Sequence, residues 1–372
     1  MLASRKEWKV MTHKEQTGFT LLETMVSLVV LLAVSAIVMG GMNQMMKMQG
    51  TVANRTEMHT SVRDATEVLE QEIGQAGKIS LPAAPVGGWL MLTPVFVPTD
   101  VPVTVPVSFS PTLLNANGAV LFDGELLLVD VGANQETVTL TCGPIAAPTP
   151  GLCTTTWTAG PFLNTHNNLA GVPISAPGAF STGVVPPAGG VMANPPPGFV
   201  GYANCAPAAA PCGSTGNVLK LYGDVNGDGN MLYVEYNCQP GTPAAPGFLY
   251  RNQMAFNAPA GSKPAVNPSM VVLSNVLTNP PDANGVVAPC FTYQVITVGL
   301  NAEFSFVTDV AVTLTVQTPL QDPQTHQFQR ETKALLNVSP RNVFNAFLLA
   351  RQDITNRVQP MPWVTKNNIL DP

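Results

Sequence analysis

Residues 14–42 read KEQTGFTLLETMVSLVVLLAVSAIVMGGM, and this stretch decides the fold. The next charged residue after Glu23 is Lys47, so the run from Thr24 to Met42 is uncharged and apolar. At about 1.5 Å per residue, a helix of that run is about 28 Å long, close to the ~30 Å hydrocarbon core of a bilayer. The sequence therefore predicts a membrane-spanning helix over residues 19–42.

An amphipathic pattern continues the same helix beyond the membrane. Apolar residues recur there at steps of three and four, which places them on one helical face: Met58, Val62, Ala65, Leu69, Ile73 and Ala76. Gly74, Gly77 and Pro82 then supply stop signals. We therefore expect an amphipathic helical half over residues 43–79.

The charge balance differs between the two sides of this helix. Residues 1–18 hold four basic and two acidic side chains, a balance of +2, while the whole 372-residue chain carries −6. The split predicts a basic cytoplasmic end and an exported acidic body. An acidic chain with 11% charged residues also argues against nucleic acid as a partner.

Glu23 is the one carboxylate at the edge of the apolar run. A charge at the bilayer centre costs about 2.5–3.5 kcal/mol on insertion scales, so such a residue usually has a partner. One interpretation is a capping box with Thr20, in which each side chain bonds the other residue's backbone N–H. The other is pairing with a newly made α-amine on a neighbouring subunit, and the two are compatible.

An ordinary secretory signal peptide is an alternative interpretation of the same segment. Residues 31–36, LLAVSA, could end an apolar region at a small-x-small cleavage site, leaving Ile37 as the new N-terminus. The charged region before it would then exceed twenty residues and contain Glu23.

The stretch Gly18-Phe19-Thr20-Leu21-Leu22-Glu23 resembles the cleavage and methylation motif of type IV prepilins. The resemblance implies cleavage between Gly18 and Phe19 by a prepilin peptidase at the inner membrane, followed by N-methylation of Phe19. It also implies that Glu23 sets subunit register during assembly with other pilins.

Short segments nearer the C-terminus are similar to PilW-type minor pilins and to the larger pseudopilins of type II secretion. They are Leu249-Tyr250-Arg251, Asn275-Val276, Cys290-Phe291-Thr292-Tyr293 and Arg341-Asn342. This similarity favours a minor over a major subunit. It implies a single-pass protein whose C-terminal domain lies in the periplasm or outside the cell.

Residues 80–372 predict a β-rich exported domain, which makes the fold class α+β and pilin-like. Strands are expected at 218–222, 231–236, 270–276 and 291–298, with a hairpin of 309–317 and 328–338 before a short helix over 343–350. Residues 143–215 are rich in Pro, Ala and Gly and predict a long insertion. His166, within it, is expected to be a solvated loop residue.

Six cysteines follow the apolar run, and none forms a Cys-x-x-Cys pair: Cys142, Cys153, Cys205, Cys212, Cys238 and Cys290. An even number in an exported body predicts disulfides rather than zinc. Fifteen connectivities are possible. We favour pairing in sequence order, 142–153, 205–212 and 238–290, because the first two pairs close short Pro/Gly loops.

The strongest local motif of the body is D-x-[DN]-x-[DN]-G-x5-E, the pattern of a twelve-residue calcium loop. Its candidate ligands are Asp224, Asn226, Asp228, Asn230 and Glu235. The flanking segments read as strands, so a hairpin turn built on Asn-Gly and Asp-Gly is the alternative. Calcium is the one cofactor that the sequence suggests.

No nucleophile, phosphate-binding or zinc-protease motif is present in the sequence, and the four histidines are scattered. We therefore expect a non-enzymatic protein. The leading hypothesis is a minor pilin or pseudopilin assembled through its N-terminal helix. The competing hypothesis is a membrane-tethered or secreted β-rich binding protein with no filament role.

Overall fold

The computed structural model describes residues 20–81, 90–91, 103–106, 114–115, 118–119, 121–142, 156–166, 172–187, 212–299 and 304–370. The helices are α1 (Leu21–Gln75), α2 (Arg341–Arg351) and α3 (Trp363–Thr365), the last running into a π-helical turn, Lys366–Leu370. The strands up to residue 180 are β1 (Leu90–Met91), β2 (Val103–Pro106), β3 (Leu114–Asn115), β4 (Gly118–Ala119), β5 (Leu126–Val129), β6 (Glu136–Cys142), β7 (Thr156–Gly160), β8 (Val172–Ser175) and β9 (Ala179–Phe180). The later strands are β10 (Val218–Gly223), β11 (Leu232–Gln239), β12 (Gly247–Ala255), β13 (Val271–Leu277), β14 (Phe291–Val298), β15 (Phe304–Gln317), β16 (Arg330–Val338) and β17 (Val358–Gln359). The predicted α+β class is confirmed: a long N-terminal helix precedes antiparallel sheets.

Helix α1 is continuous through Gly40-Gly41 and, at 55 residues, about 82 Å long. Its apolar stripe packs from Met58 to Ala76 on one face of a seven-stranded sheet of order β10-β11-β12-β13-β15-β14, with β16 added beside β15. Burial of this stripe against the sheet forms the largest apolar core of the described chain. The predicted second half of the helix is therefore confirmed, although the helix ends at Gln75 rather than at 79.

Two glycines let the end of α1 meet the sheets. Gly77 has a φ of +79°, which stops the helix, and its N–H donates to the Tyr222 carbonyl at 2.9 Å. Its own carbonyl accepts from Phe180 at 2.8 Å. A Cβ on Gly183 would lie 2.1 Å from the Gly77 Cα, so only glycine allows this backbone approach.

A second sheet, of order β1-β8-β5-β6-β7-β2, encloses its own core. The expectation of a long insertion over 143–215 is wrong for part of that segment, because β7 and β8 pair inside this sheet. Strand β9 pairs in parallel with β17. The strands with which β8 and β9 pair are distant in sequence, so no local pattern predicted these short strands.

The predicted strands near the C-terminus are confirmed within a few residues, and β14 has the predicted bounds. Strand β15 begins at Phe304, five residues before the predicted start. Residues 304–308 are buried on both faces, and α2 packs against this end through the contact of Phe306 with Phe347. Burial on both faces removes the polar-apolar alternation that marked residues 309–317.

Candidate functional site

The N-terminus of α1 is closed by a capping box. The Thr20 hydroxyl accepts from the Glu23 N–H at 3.3 Å, and Glu23 Oε2 accepts from the Thr20 N–H at 3.2 Å. Glu23 Oε2 also accepts from the Thr20 hydroxyl at 3.2 Å. The predicted cap is therefore confirmed, and it holds the Glu23 carboxylate at the N-terminal end of α1. Gly18 and Phe19 themselves lie outside the described residues.

The first half of α1 is apolar and uncovered. Its large side chains are exposed from Leu21, at 79%, to Val52, at 58%. The helix is long and apolar enough to cross a membrane, and its most apolar window has no buried residue. A helix that is apolar all round must bury that surface in lipid or against other helices.

Among the described residues, contact between α1 and the body begins at Gly50. A Cβ on Gly50 would lie 3.0 Å from the Pro323 side chain, in the turn between β15 and β16. One turn later, Asn54 donates to the Leu320 carbonyl and Arg55 to the Gln329 side chain. The protein therefore divides α1 at residue 50 into a free half and a packed half.

A buried ion pair holds the packed half on the sheet. Both carboxylate oxygens of Glu72 accept from the Arg251 Nε, at 2.9 and 3.1 Å, and the Tyr236 hydroxyl donates to Oε2 at 2.5 Å. Burial and the Glu72 charge raise the pKa of Tyr236, so its hydroxyl stays protonated as a donor.

The predictions made from the sequence did not include Glu72, although its position in the sequence indicated a buried carboxylate. It lies seven residues after Ala65 and three after Leu69, on the apolar stripe of α1. A carboxylate at such a position is rarely buried without a partner. Arg251, in a segment that the sequence analysis had singled out, supplies the partner from β12.

Four of the predicted calcium ligands, Asp224 to Asn230, lie in one turn, but Glu235 lies outside it in β11. Asp224 Oδ2 accepts from Lys78 Nζ at 2.7 Å and Ser80 at 3.0 Å, and Asp224 Oδ1 accepts from the Gly229 N–H. These donors lower the pKa of Asp224 against the opposing effect of its burial.

Glu235 lies inside β11, opposite Lys220 rather than beside the turn. Its carboxylate accepts from the Tyr233 hydroxyl at 2.7 Å and pairs with Lys263. Asp228 accepts from the Asn230 N–H at 2.9 Å, while Asn226 lies in the same turn. Within the described ranges, no group of three acidic, histidine or cysteine side chains could hold a metal. These contacts favour the hairpin turn, and calcium stays a prediction of the sequence.

The expectation for His166 is wrong, since its side chain is fully buried between two carboxylates. Nδ1 lies 2.8 Å from Asp130 Oδ2, and Nε2 lies 2.5 Å from Glu136 Oε1. The hydrogen bond from His166 holds the pKa of Asp130 below its usual range. Asp130 follows β5 and Glu136 begins β6, so the β5–β6 hairpin brings the two carboxylates together. His166 reaches them from the segment after β7, a contact that the local sequence did not show.

The predicted disulfide between Cys238 and Cys290 is confirmed, and it joins β11 to the start of β14. Cys142 and Cys212 are also disulfide-bonded. The pairs predicted for them involve Cys153 and Cys205, which lie outside the described residues.

The family model of the prokaryotic N-terminal methylation motif matches residues 13–39. The match covers the candidate cleavage site, Glu23 and most of the apolar run. Together with the long apolar helix, it fits a type IV prepilin-like protein. No significant match was found among curated proteins or among solved structures.

Proposed function

We propose that this protein is a minor pilin or pseudopilin, cut after Gly18 by a prepilin peptidase and assembled into a filament through α1. The single observation that carries the proposal is the uncovered apolar half of α1, which begins within the methylation motif. In a membrane this surface contacts lipid, and in a filament it contacts other helices of the same kind. The role is structural rather than catalytic.

The contacts between α1 and the body support the extraction of the helix and the body from the membrane as one unit. Contacts with α1 begin at Gly50, about 12 Å past Met42, where the predicted span ends. The Glu72–Arg251 pair then fixes the helix to the sheet. A force on the free half is therefore transmitted to the body without separating the two.

The mature N-terminus tests the processing step. We expect mass spectrometry of the membrane-extracted protein to find N-methylated Phe19. An N-terminus at Ile37 would support the secreted or tethered binding protein instead, and a retained Met1 would contradict both models of processing.

The assembly step can be tested by separating the two roles of Glu23. Glu23→Gln keeps a side chain that can complete the capping box but removes the charge, whereas Thr20→Ala breaks the cap and keeps the charge. If Glu23 pairs with a neighbouring α-amine, Glu23→Gln reduces the amount of protein in sheared filaments and Thr20→Ala does not. If Thr20→Ala instead reduces the amount in filaments and Glu23→Gln does not, Glu23 acts only as a helix cap.

A further inference from the structure

A row of three polar side chains crosses the seven-stranded sheet on the face that does not carry α1. Lys220 of β10 lies in register with Glu235 of β11, and Glu235 lies in register with Asn252 of β12. All three are almost fully buried, at 6%, 6% and 2% exposed. Directly opposite residues have Cβ atoms about 4.5–5.5 Å apart, so a carboxylate lies between an amine and a carboxamide.

A second amine reaches this row from the segment that follows β12. Lys263 Nζ forms an ion pair with the Glu235 carboxylate. Asn252 Nδ2 donates at 2.8 Å to the carbonyl of Pro264, the residue directly after Lys263. Asn252 Oδ1 is buried and accepts no hydrogen bond from the described residues, an arrangement that is rare for a buried acceptor. The contacts therefore hold a lysine amine, a carboxylate and a carboxamide side by side.

The charges of this cluster are unequal among the described residues, because two amines share one carboxylate. Burial lowers the pKa of Lys220 to about 8; the Glu235 charge opposes this shift and the Lys263 charge adds to it. Lys220 Nζ also donates to the Cys212 carbonyl at 3.0 Å, which is a neutral acceptor. A buried charge without a counter-charge is costly. A reaction that consumes the Lys263 amine would leave Lys220 and Glu235 as a balanced pair.

We propose that Lys263 and Asn252 become joined by an amide bond between their side chains. The Lys263 ammonium gives a proton to Glu235, and the neutral Nζ forms a bond to Asn252 Cγ. The Cγ–Nδ2 bond breaks, and the departing nitrogen takes one proton from Nζ and one from Glu235. The products are a secondary amide, one ammonium ion and the Glu235 carboxylate, whose charge Lys220 then balances.

The reaction takes place once in each molecule, so proximity and a proton carrier are sufficient for it. The Lys263 side chain is 32% exposed, which gives the ammonium ion a path to solvent. The new bond fixes the segment after β12 across the face of the sheet, in the body of the protein. The inference does not depend on cleavage of the leader, so it can fail while the proposed function stands.

The test is mass spectrometry of the full membrane-extracted protein after unfolding, reduction, alkylation and digestion with chymotrypsin. Cleavage after Phe256 separates Asn252 from Lys263 unless their side chains are joined. We expect one species that contains both peptides and is lighter than their sum by the mass of one ammonia. Two separate peptides from the wild type would overturn the proposal, and so would a bond from Asn252 to Lys220 instead of Lys263.

Two variants test the roles of the amine and of the carboxylate. Lys263→Arg keeps the positive charge but cannot form the amide, so it should give only separate peptides. Glu235→Gln keeps the side-chain shape but removes the proton carrier, which should slow the reaction at least about 100-fold and leave the peptides mostly separate. Lys333→Arg, an exposed lysine of β16, is the matched control and should give the joined species in full.

The Cys238–Cys290 disulfide, mapped in an unreduced digest, shows that each variant has folded. A joined species that persists in folded Lys263→Arg would overturn the proposed bond. A joined species that is as abundant in folded Glu235→Gln as in the wild type would overturn the proposed role of the carboxylate.

Discussion

Replacing Glu72 with alanine is expected to loosen the packed half of α1 from the seven-stranded sheet. The change removes the carboxylate that accepts from both Arg251 and Tyr236. The two side chains of the pair are 18% and 9% exposed, for Arg251 and Glu72, so water reaches them poorly. Alanine would therefore leave a nearly buried guanidinium without a counter-charge.

The expected loss of stability follows from the burial of this ion pair. Removing one partner of a buried ion pair destabilises a protein by about 3–5 kcal/mol, because the other charge remains desolvated. The loss should appear as local opening of α1, since the pair joins the helix to β12. At 1.4 kcal/mol per factor of ten, amide exchange in the last turns of α1 should become roughly 100- to 4000-fold faster.

Hydrogen exchange of peptides covering residues 65–77, measured by mass spectrometry, is the assay. Glu70→Ala is the control, because Glu70 is an exposed carboxylate two residues away. Replacing Glu72 and Arg251 together with methionine should restore most of the protection, since no unpaired charge is left. Exchange in Glu72→Ala within about threefold of the Glu70→Ala control would refute the reasoning.

Three further outcomes are expected. Gly183→Ala should lower the unfolding temperature markedly, because its Cβ would meet the Gly77 backbone at 2.1 Å. Gly40→Ala should leave the unfolding temperature unchanged or raised, because its Cβ would meet no described atom within 4 Å beyond the adjacent helix backbone. The lowered pKa of Asp130 stabilises the fold at pH values above the unfolded-state pKa of about 3.9. Stability should therefore fall as the pH drops through the pKa that Asp130 has in the folded protein. This fall should be smaller in Asp130→Asn. The unfolding temperature measured as a function of pH tests this fall in stability. Equal slopes of unfolding temperature against pH in the wild type and in Asp130→Asn would contradict the role of His166. Millimolar calcium should not shift thermal unfolding, because Asp224 is already paired with Lys78; an upward shift that Asp228→Ala abolishes would instead establish the calcium loop.

The sequence predicted those helices and strands that a local pattern of apolar and polar residues specifies. The apolar run and the stripe from Met58 to Ala76 specify α1, because a helix repeats every 3.6 residues whatever it packs against. Strand β15 was recognised in the same way, from residues 309–317, which alternate between a wet and a buried face. Within the six-stranded sheet, β1, β2 and β8 are short and pair with strands more than 40 residues away, so their pairing could not be read locally.

The sequence by itself determined the cleavage motif, the cap between Thr20 and Glu23, and the apolar anchor, since each depends on residues within a few helical turns. Only the tertiary structure decided which carboxylates are paired. Glu72 meets Arg251 across 179 positions of sequence, and His166 meets Asp130 across 36. Side chains so far apart in the chain become neighbours only when the sheets form, because contact between them is a property of packing and not of local pattern.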